Sequence, residues 1–285
     1  MDFIRWVSNA PFLTMIVLAL FATPDTRADW TLIPESRHQL YQSYSFFIEQ
    51  SNAIFYRGQG EYWATVATNL PIVGNNDSPL HPQLIFHLSG NDSMHIDSTG
   101  GVFTETLDTR IGLMFESGLP WWDLRASVGF LHESGHAVDG ISDLSLLPAT
   151  LNLGDNVIRF RFLRDFDQKV RVGITIDAII HAIPEDVASG IDEFIEYFPW
   201  GSNEDSRWLL RPYAAVGLIE GFSFNGINAL NAQIGLSFGK HFEAQHGHTL
   251  RAVLGYYGGI DPRAKYAQFV GDTVSFGYTG LMFDL

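Results

Sequence analysis

The sequence predicts an all-β protein: a single antiparallel transmembrane β-barrel of about twelve strands. Three observations carry that prediction. Apolar and polar residues alternate along segment after segment, the period-2 pattern of strands with one apolar and one polar face. Past residue 28 no stretch is long and apolar enough for a spanning helix, so only strands can cross a membrane. The last stretch, VSFGYTGLMFDL (residues 274–285), alternates too, with Leu281, Phe283 and Leu285 on one side and Asp284 on the other. A soluble sheet has to cover such a strand or leave it as an edge, whereas a closed barrel has no edge.

Residues 1–28 read as a cleaved export signal: Arg5, an apolar run over residues 10–23, then the small residues of Thr26-Arg27-Ala28. The barrel is expected over residues 29–285. Of 17 basic residues Arg5 and Arg27 leave with the signal, and of 32 acidic ones Asp2 and Asp25, so 15 and 30 remain and the net charge stays −15. Such an acidic chain repels phosphate backbones, which argues against nucleic acid as a partner. It has no cysteine, hence no disulfide framework and no thiolate chemistry.

The clearest hairpin places Ile111, Leu113 and Phe115 opposite Arg110, Gly112 and Glu116, turns at Ser117-Gly118-Leu119-Pro120, and returns through Leu124, Ala126, Val128 and Phe130 against Arg125, Ser127 and Gly129. The same alternation sets Ile158, Phe160 and Phe162 against Arg159 and Arg161, and Val170, Val172 and Ile174 against Arg171, Gly173 and Thr175. It recurs around Asn231, Gln233 and Ser237 and around Arg251. A continuous apolar face suits lipid, and a face of small, polar and arginine residues suits a lumen. Arg110, Arg125, Arg159, Arg161, Arg171 and Arg251 are therefore expected to line the lumen, either paired with acids such as Glu116 and Asp177 or bordering an anion path.

Between Pro184 and Asp205 runs a long acidic stretch. Ile191, Phe194, Ile195 and Phe198 recur there at helical spacing, which predicts a short helix within an outer loop. Its carboxylates suit a solvated loop, with a divalent-cation site as the sharper alternative. No cofactor and no resident metal are expected.

Residues 132–136, His-Glu-Ser-Gly-His, carry the letters of the H-E-x-x-H zinc motif. That chemistry needs a helix to bring both histidines to one face, and Ser134-Gly135 after an amphipathic strand is poor helix material. On a strand His132 and Ser134 share a face and Glu133 takes the other. Two readings follow. In one, His132, His136 and Asp139 form a polar cluster that hydrogen-bonds inside the barrel or at its rim. In the other, Ser134 is a nucleophile with His132 as base, and an acid such as Asp139 or Asp143 completes the set.

Three resemblances bear on these residues. The ending with Tyr278, Gly280, Phe283 and Leu285 resembles the C-terminal assembly signal of bacterial outer-membrane barrels, with Leu285 where most carry Phe. This implies delivery by the barrel-assembly machinery into a Gram-negative-type outer membrane, after export through the periplasm. The Ser134–His132 set is similar to that of lipid A deacylases, which work within small outer-membrane barrels. The pattern His132, Ser134, His136, Asp139 resembles the His-x-Ser-x-His motif of an uncharacterised bacterial family, a domain of unknown function. That family's motif has Gln and Ser where Glu133 and Gly135 stand. It implies a barrel and no activity.

The functional expectation is an outer-membrane, porin-like barrel that passes or binds a small solute or serves the envelope structurally, with outer-membrane lipids as its surroundings. The alternative is a barrel-embedded lipid hydrolase acting on lipid A or phospholipid through Ser134 and His132.

Overall fold

A wall of strands closed on itself explains why every segment of this chain carries two unlike faces. The computed structural model describes residues 30–32, 52–58, 60–75, 77–119, 123–137, 153–183, 190–201, 210–221, 226–239, 249–260 and 273–284. The expected export signal, residues 1–28, lies outside them. Thirteen strands lie among the described residues: β1 (Thr31–Leu32), β2 (Asn52–Gly58), β3 (Glu61–Gly74), β4 (Gln83–Ile96), β5 (Val102–Leu119), β6 (Leu124–Ala137) and β7 (Leu153–Phe166), followed by β8 (Val170–Ile183), β9 (Gly190–Tyr197), β10 (Leu210–Gly221), β11 (Gly226–Gly239), β12 (Thr249–Ile260) and β13 (Thr273–Asp284).

Strands β2 to β13 pair antiparallel in chain order, and β13 returns to β2 through Leu281↔Ile54 and Phe283↔Asn52. The result is a closed twelve-stranded barrel, with β1 added against the end of β3 through Thr31↔Gly74. Closure satisfies the ladder of the terminal strand, which an open sheet would leave as an edge.

The core lies on the lumen face of the wall. Around the closure, Phe55, Trp63, Tyr257, Tyr278 and Met282 pack together inside. The Tyr278 ring lies flat along the wall because its neighbour is Gly255, where a Cβ would run into it. On the opposite side the lumen is ionic. Arg159 bridges Asp177 and Glu133, and Arg171 pairs with Asp165. Outside, apolar side chains such as Ile111, Leu113, Phe130, Ile234, Leu254 and Leu281 stand exposed, as a lipid-facing wall requires.

Three local expectations are corrected. Ser117, Gly118 and Leu119 are not turn residues but the last residues of β5, paired down to Leu119↔Leu124. A hairpin with matched faces gains ladder bonds by running on, so β5 continues to Leu119 and β6 takes up at Leu124. Second, Ile191–Tyr197 is not a helix but part of β9. Ile191, Phe194 and Ile195 fit helical spacing by coincidence; the ladders of β8 and β10 on either side satisfy the β9 backbone as a strand. The rest of the acidic stretch, with Glu185, Asp186, Glu204 and Asp205, lies outside the described residues. Third, residues 132–136 do not follow a strand but lie within β6.

The β4–β5 connection is held by Asp97, whose Oδ1 accepts from the Thr99 amide (2.8 Å), the Thr99 hydroxyl (2.7 Å) and the Gly101 amide (2.8 Å). These bonds, the Thr99 hydroxyl foremost, hold its carboxyl below the usual range. A pKa depressed by folding means the support is present above the unfolded value and lost as pH falls through the folded one. Asp97→Ala, or acidification, should therefore lower amide-exchange protection at Thr99 and Gly101 and leave the strands unchanged. Equal protection in Asp97→Ala would show the carboxylate to be idle.

Candidate active site

Strand geometry sends alternate residues of β6 to opposite sides of the wall. Phe130, His132 and His136 are exposed on the outer face and Ser134 is half-buried among them, while Leu131, Glu133 and Gly135 are buried inside. His132 and His136 thus point outward rather than into the lumen, and Asp139 lies outside the described residues. With Glu133 on the far side from both histidines, the arrangement of a zinc-protease helix is missing here. Among the described residues no three His, Asp or Glu side chains are placed to hold a metal ion.

Register brings the partners from neighbouring strands. Thr109 of β5 stands opposite Ser134, and their hydroxyls hydrogen-bond at 2.7 Å. Asn156 of β7 stands opposite His132, with Nδ1 and Oδ1 3.0 Å apart. An amide oxygen only accepts, so Nδ1 of His132 is the donor in this bond, and Nε2 is the ring nitrogen not engaged by Asn156. Ser134 is two residues along the same face, about 6.8 Å by strand rise, with its hydroxyl on Thr109. One position of β8 is doubled at this level: Val157 pairs with Ile179 and Asn156 with His181, so the ladder steps over Ile180. Ile180 and His181 are both exposed as a result, and His181 is brought opposite Asn156.

Depth is set by the apolar wall. Below this row the outer face carries Ile111 and Leu113 on β5, Val128 and Phe130 on β6, and Ile158, Phe160 and Phe162 on β7. At the row itself β6 and β7 turn polar, with His132, Ser134 and Asn156, while on β5 Thr109 stands between the exposed Ile111, opposite His132, and the exposed Leu107, opposite His136. On β6 and β7 the group marks the upper border of the apolar band. It is an open site on the wall rather than a cavity.

The sequence-predicted lumen residues are placed as follows. Arg159, Arg161, Arg171 and Arg251 are fully buried inside. Arg159 donates to Asp177 at 2.6 and 2.5 Å. Arg171 meets Asp165 at 2.7 Å, and Arg251 lies against the Tyr213 ring. Arg110 pairs with Glu133 at 2.8 Å and Arg125 with Asp165 at 3.0 Å. Arg211, also buried inside, belongs with them; its strand began too uncertainly in the sequence for its face to be read. Of the terminal set, Tyr278 points inward and donates to Asn231 at 2.8 Å, and Gly280 packs against the β2 backbone. Phe283 faces out, and Leu285 lies outside the described residues.

Asn156 is the member that sequence reading missed. It sits 24 residues from His132, and only the β6–β7 register makes them neighbours. An Asn beginning an amphipathic strand was the one available signal.

No family model and no curated protein sequence matches this chain. Among solved structures it is similar to the outer membrane phospholipase A of Escherichia coli, with a TM-score of 0.55 at 10% identity over 89% of this chain and 96% of that one. It is similar also to the outer membrane phospholipase of Salmonella typhi, solved as a dimer with bound calcium, with a TM-score of 0.53 at 12% identity over 90% and 97% of the two chains. At these identities the likeness is one of fold, and the fold is that of outer-membrane β-barrels.

Proposed function

We propose that this protein is an outer-membrane lipid hydrolase that cleaves acyl esters on the outer wall of its barrel, with Ser134 as nucleophile, His132 as general base and Asn156 orienting the base. The observation that carries the reading is the His132–Asn156 hydrogen bond, with Ser134 next on the same face at the upper border of the apolar band. A membrane lipid keeps its acyl chains beside apolar wall and its ester carbonyls at the border with the headgroups, the level of Ser134. Two similar folds being phospholipases adds support.

In this reading Ser134 Oγ attacks the ester carbonyl carbon and gives its proton to His132 Nε2. The tetrahedral adduct collapses as the imidazolium returns that proton to the departing alcohol oxygen. Water, deprotonated by the same Nε2, then releases the fatty acid from the acyl-serine. Thr109 holds the Ser134 hydroxyl at rest.

The connection after β6, residues 138–152, is long, whereas β7 and β8 join through the three residues 167–169. Barrels of this kind keep long loops outside and short turns inside, which supports an outer-leaflet site in this reading. Residues 1–28 direct export through the periplasm, and the barrel-assembly machinery reads the strand holding Tyr278, Gly280 and Phe283. A solute path has less support, because buried arginines, acids and aromatic rings pack against one another on the lumen face.

The test is acyl release by the purified, folded barrel from two labelled lipids, a glycerophospholipid and lipid A. Release from either supports the reading and identifies the source of the ester; release from neither ends it. Asn156→Ala should lower kcat by about 10²-fold with the barrel intact, since a misaligned base costs roughly that much. Unchanged kcat would remove Asn156 from the set.

A further inference from the structure

Glu133 lies between the two side chains on which the proposed chemistry depends, yet it faces the other way. Its carboxylate is buried in the lumen directly behind the outer-wall group. Arg110, its register partner on β5, meets Oε1 at 2.8 Å. Arg159 on β7 meets the same oxygen at 3.4 Å and is itself held by Asp177 on β8. On the outside, β5 carries Thr109, β6 carries His132 and Ser134, and β7 carries Asn156. The strands joined by the inner ion pairs are those that carry the outer residues, at the same level of the wall.

We infer that Glu133 is a positioning residue: with Arg110 and Arg159 it locks β5, β6 and β7 from inside and so sets the alignment of Ser134, His132 and Asn156 outside. The inference rests on the lipid-hydrolase reading. Glu133 cannot touch the lipid or either neighbouring side chain, because consecutive strand residues point to opposite faces. It acts through the backbone. Loosening the lock lets β6 shift against its neighbours, and the Thr109–Ser134 and His132–Asn156 bonds, each a direct cross-strand pair, are lost together. A comparable ion pair elsewhere in the lumen lacks this effect. Arg171 and Asp165 lie at the other end of the wall, where Asp165 is nine positions along β7 from Asn156, about 30 Å by strand rise.

The full chain, folded in detergent micelles and assayed on labelled phospholipid, tests this with Glu133→Gln, Arg110→Gln, their combination, and Arg171→Gln as comparison. Glu133→Gln should lower kcat by about 10- to 100-fold and leave KM within about twofold. Labelling of Ser134 by a fluorophosphonate should slow in parallel. The double variant should fall no further than the worse single one, as for residues acting as a unit. Arg171→Gln should unfold more readily yet keep its kcat. Wild-type kcat in Glu133→Gln, or an equal fall in Arg171→Gln, overturns the inference while the hydrolase reading stands. If Glu133→Gln fails to give a heat-modifiable band, Arg110→Gln decides, because Arg159 still holds Glu133 there. A wild-type protein with neither acyl release nor labelled Ser134 ends the hydrolase reading and the inference with it.

Discussion

Ser134→Ala is expected to abolish acyl release, a fall of at least ~10³-fold, because no acyl-enzyme forms without Oγ. The same substitution should leave the barrel intact. Ser134 is half-exposed on the outer wall and its one side-chain hydrogen bond is to Thr109; losing that bond costs about 1 kcal/mol. The two outcomes are read on one sample, acyl release from labelled lipid and heat-modifiable gel mobility. An intact band with no release assigns the nucleophile. An intact band with undiminished release takes the role away from Ser134 and leaves the outer-wall group structural.

The largest effect on stability is expected at Arg159. Its side chain is 0% exposed, it donates to both carboxylate oxygens of Asp177, and it reaches Glu133. Arg159→Ala leaves Asp177 without this partner inside the wall and Glu133 held by Arg110, next to Asp155, the cross-strand neighbour of Glu133. Removing one partner of a buried ion pair costs about 3–5 kcal/mol, because the remaining charges keep their desolvation penalty. The urea midpoint of the refolded barrel should fall accordingly. At Arg125, 29% exposed and paired with Asp165 at 3.0 Å, truncation should cost about 1 kcal/mol or less, as solvent screens that pair. Equal midpoints for the two variants would mean that water reaches Arg159 and that the lumen is wetter than its packing suggests.

Much of the wall was legible from residue order. Side chains alternate across a strand whatever lies beside it, so Ile158, Phe160 and Phe162 could be set outside and Arg159 and Arg161 inside from five letters. The twelve-stranded count followed from repeating that step. It failed where a short segment fits two periods: Ile191, Phe194 and Ile195 read as a helix turn, and only the ladders of β8 and β10 make the segment a strand. Turn chemistry also misled at Ser117-Gly118, because the hairpin runs three residues further before it reverses.

The candidate site was half legible. His132 and Ser134 share a face by local geometry alone, so they could be paired from the sequence. The orienting group could not: Asp139 and Asp143 were the nearby candidates, and the residue beside the imidazole is Asn156 on another strand. The histidine cluster was left between the inside of the barrel and its rim, and the structure puts His132 and His136 on the outer face with Phe130.

Local backbone geometry therefore made this chain a series of two-faced strands with arginines on one side and aliphatic residues on the other. Closure and register did the rest. The ring β2 to β13 turned the arginine side inward and put His132, Ser134 and Asn156 on the outer wall at the border of the apolar band. The reason is physical: a side chain's direction depends on its own strand, whereas its neighbours depend on where a second strand aligns. That alignment is set by hydrogen-bond ladders, a step at Ile180 and the Arg110–Glu133–Arg159 contacts, all of which exist only once the sheet has closed.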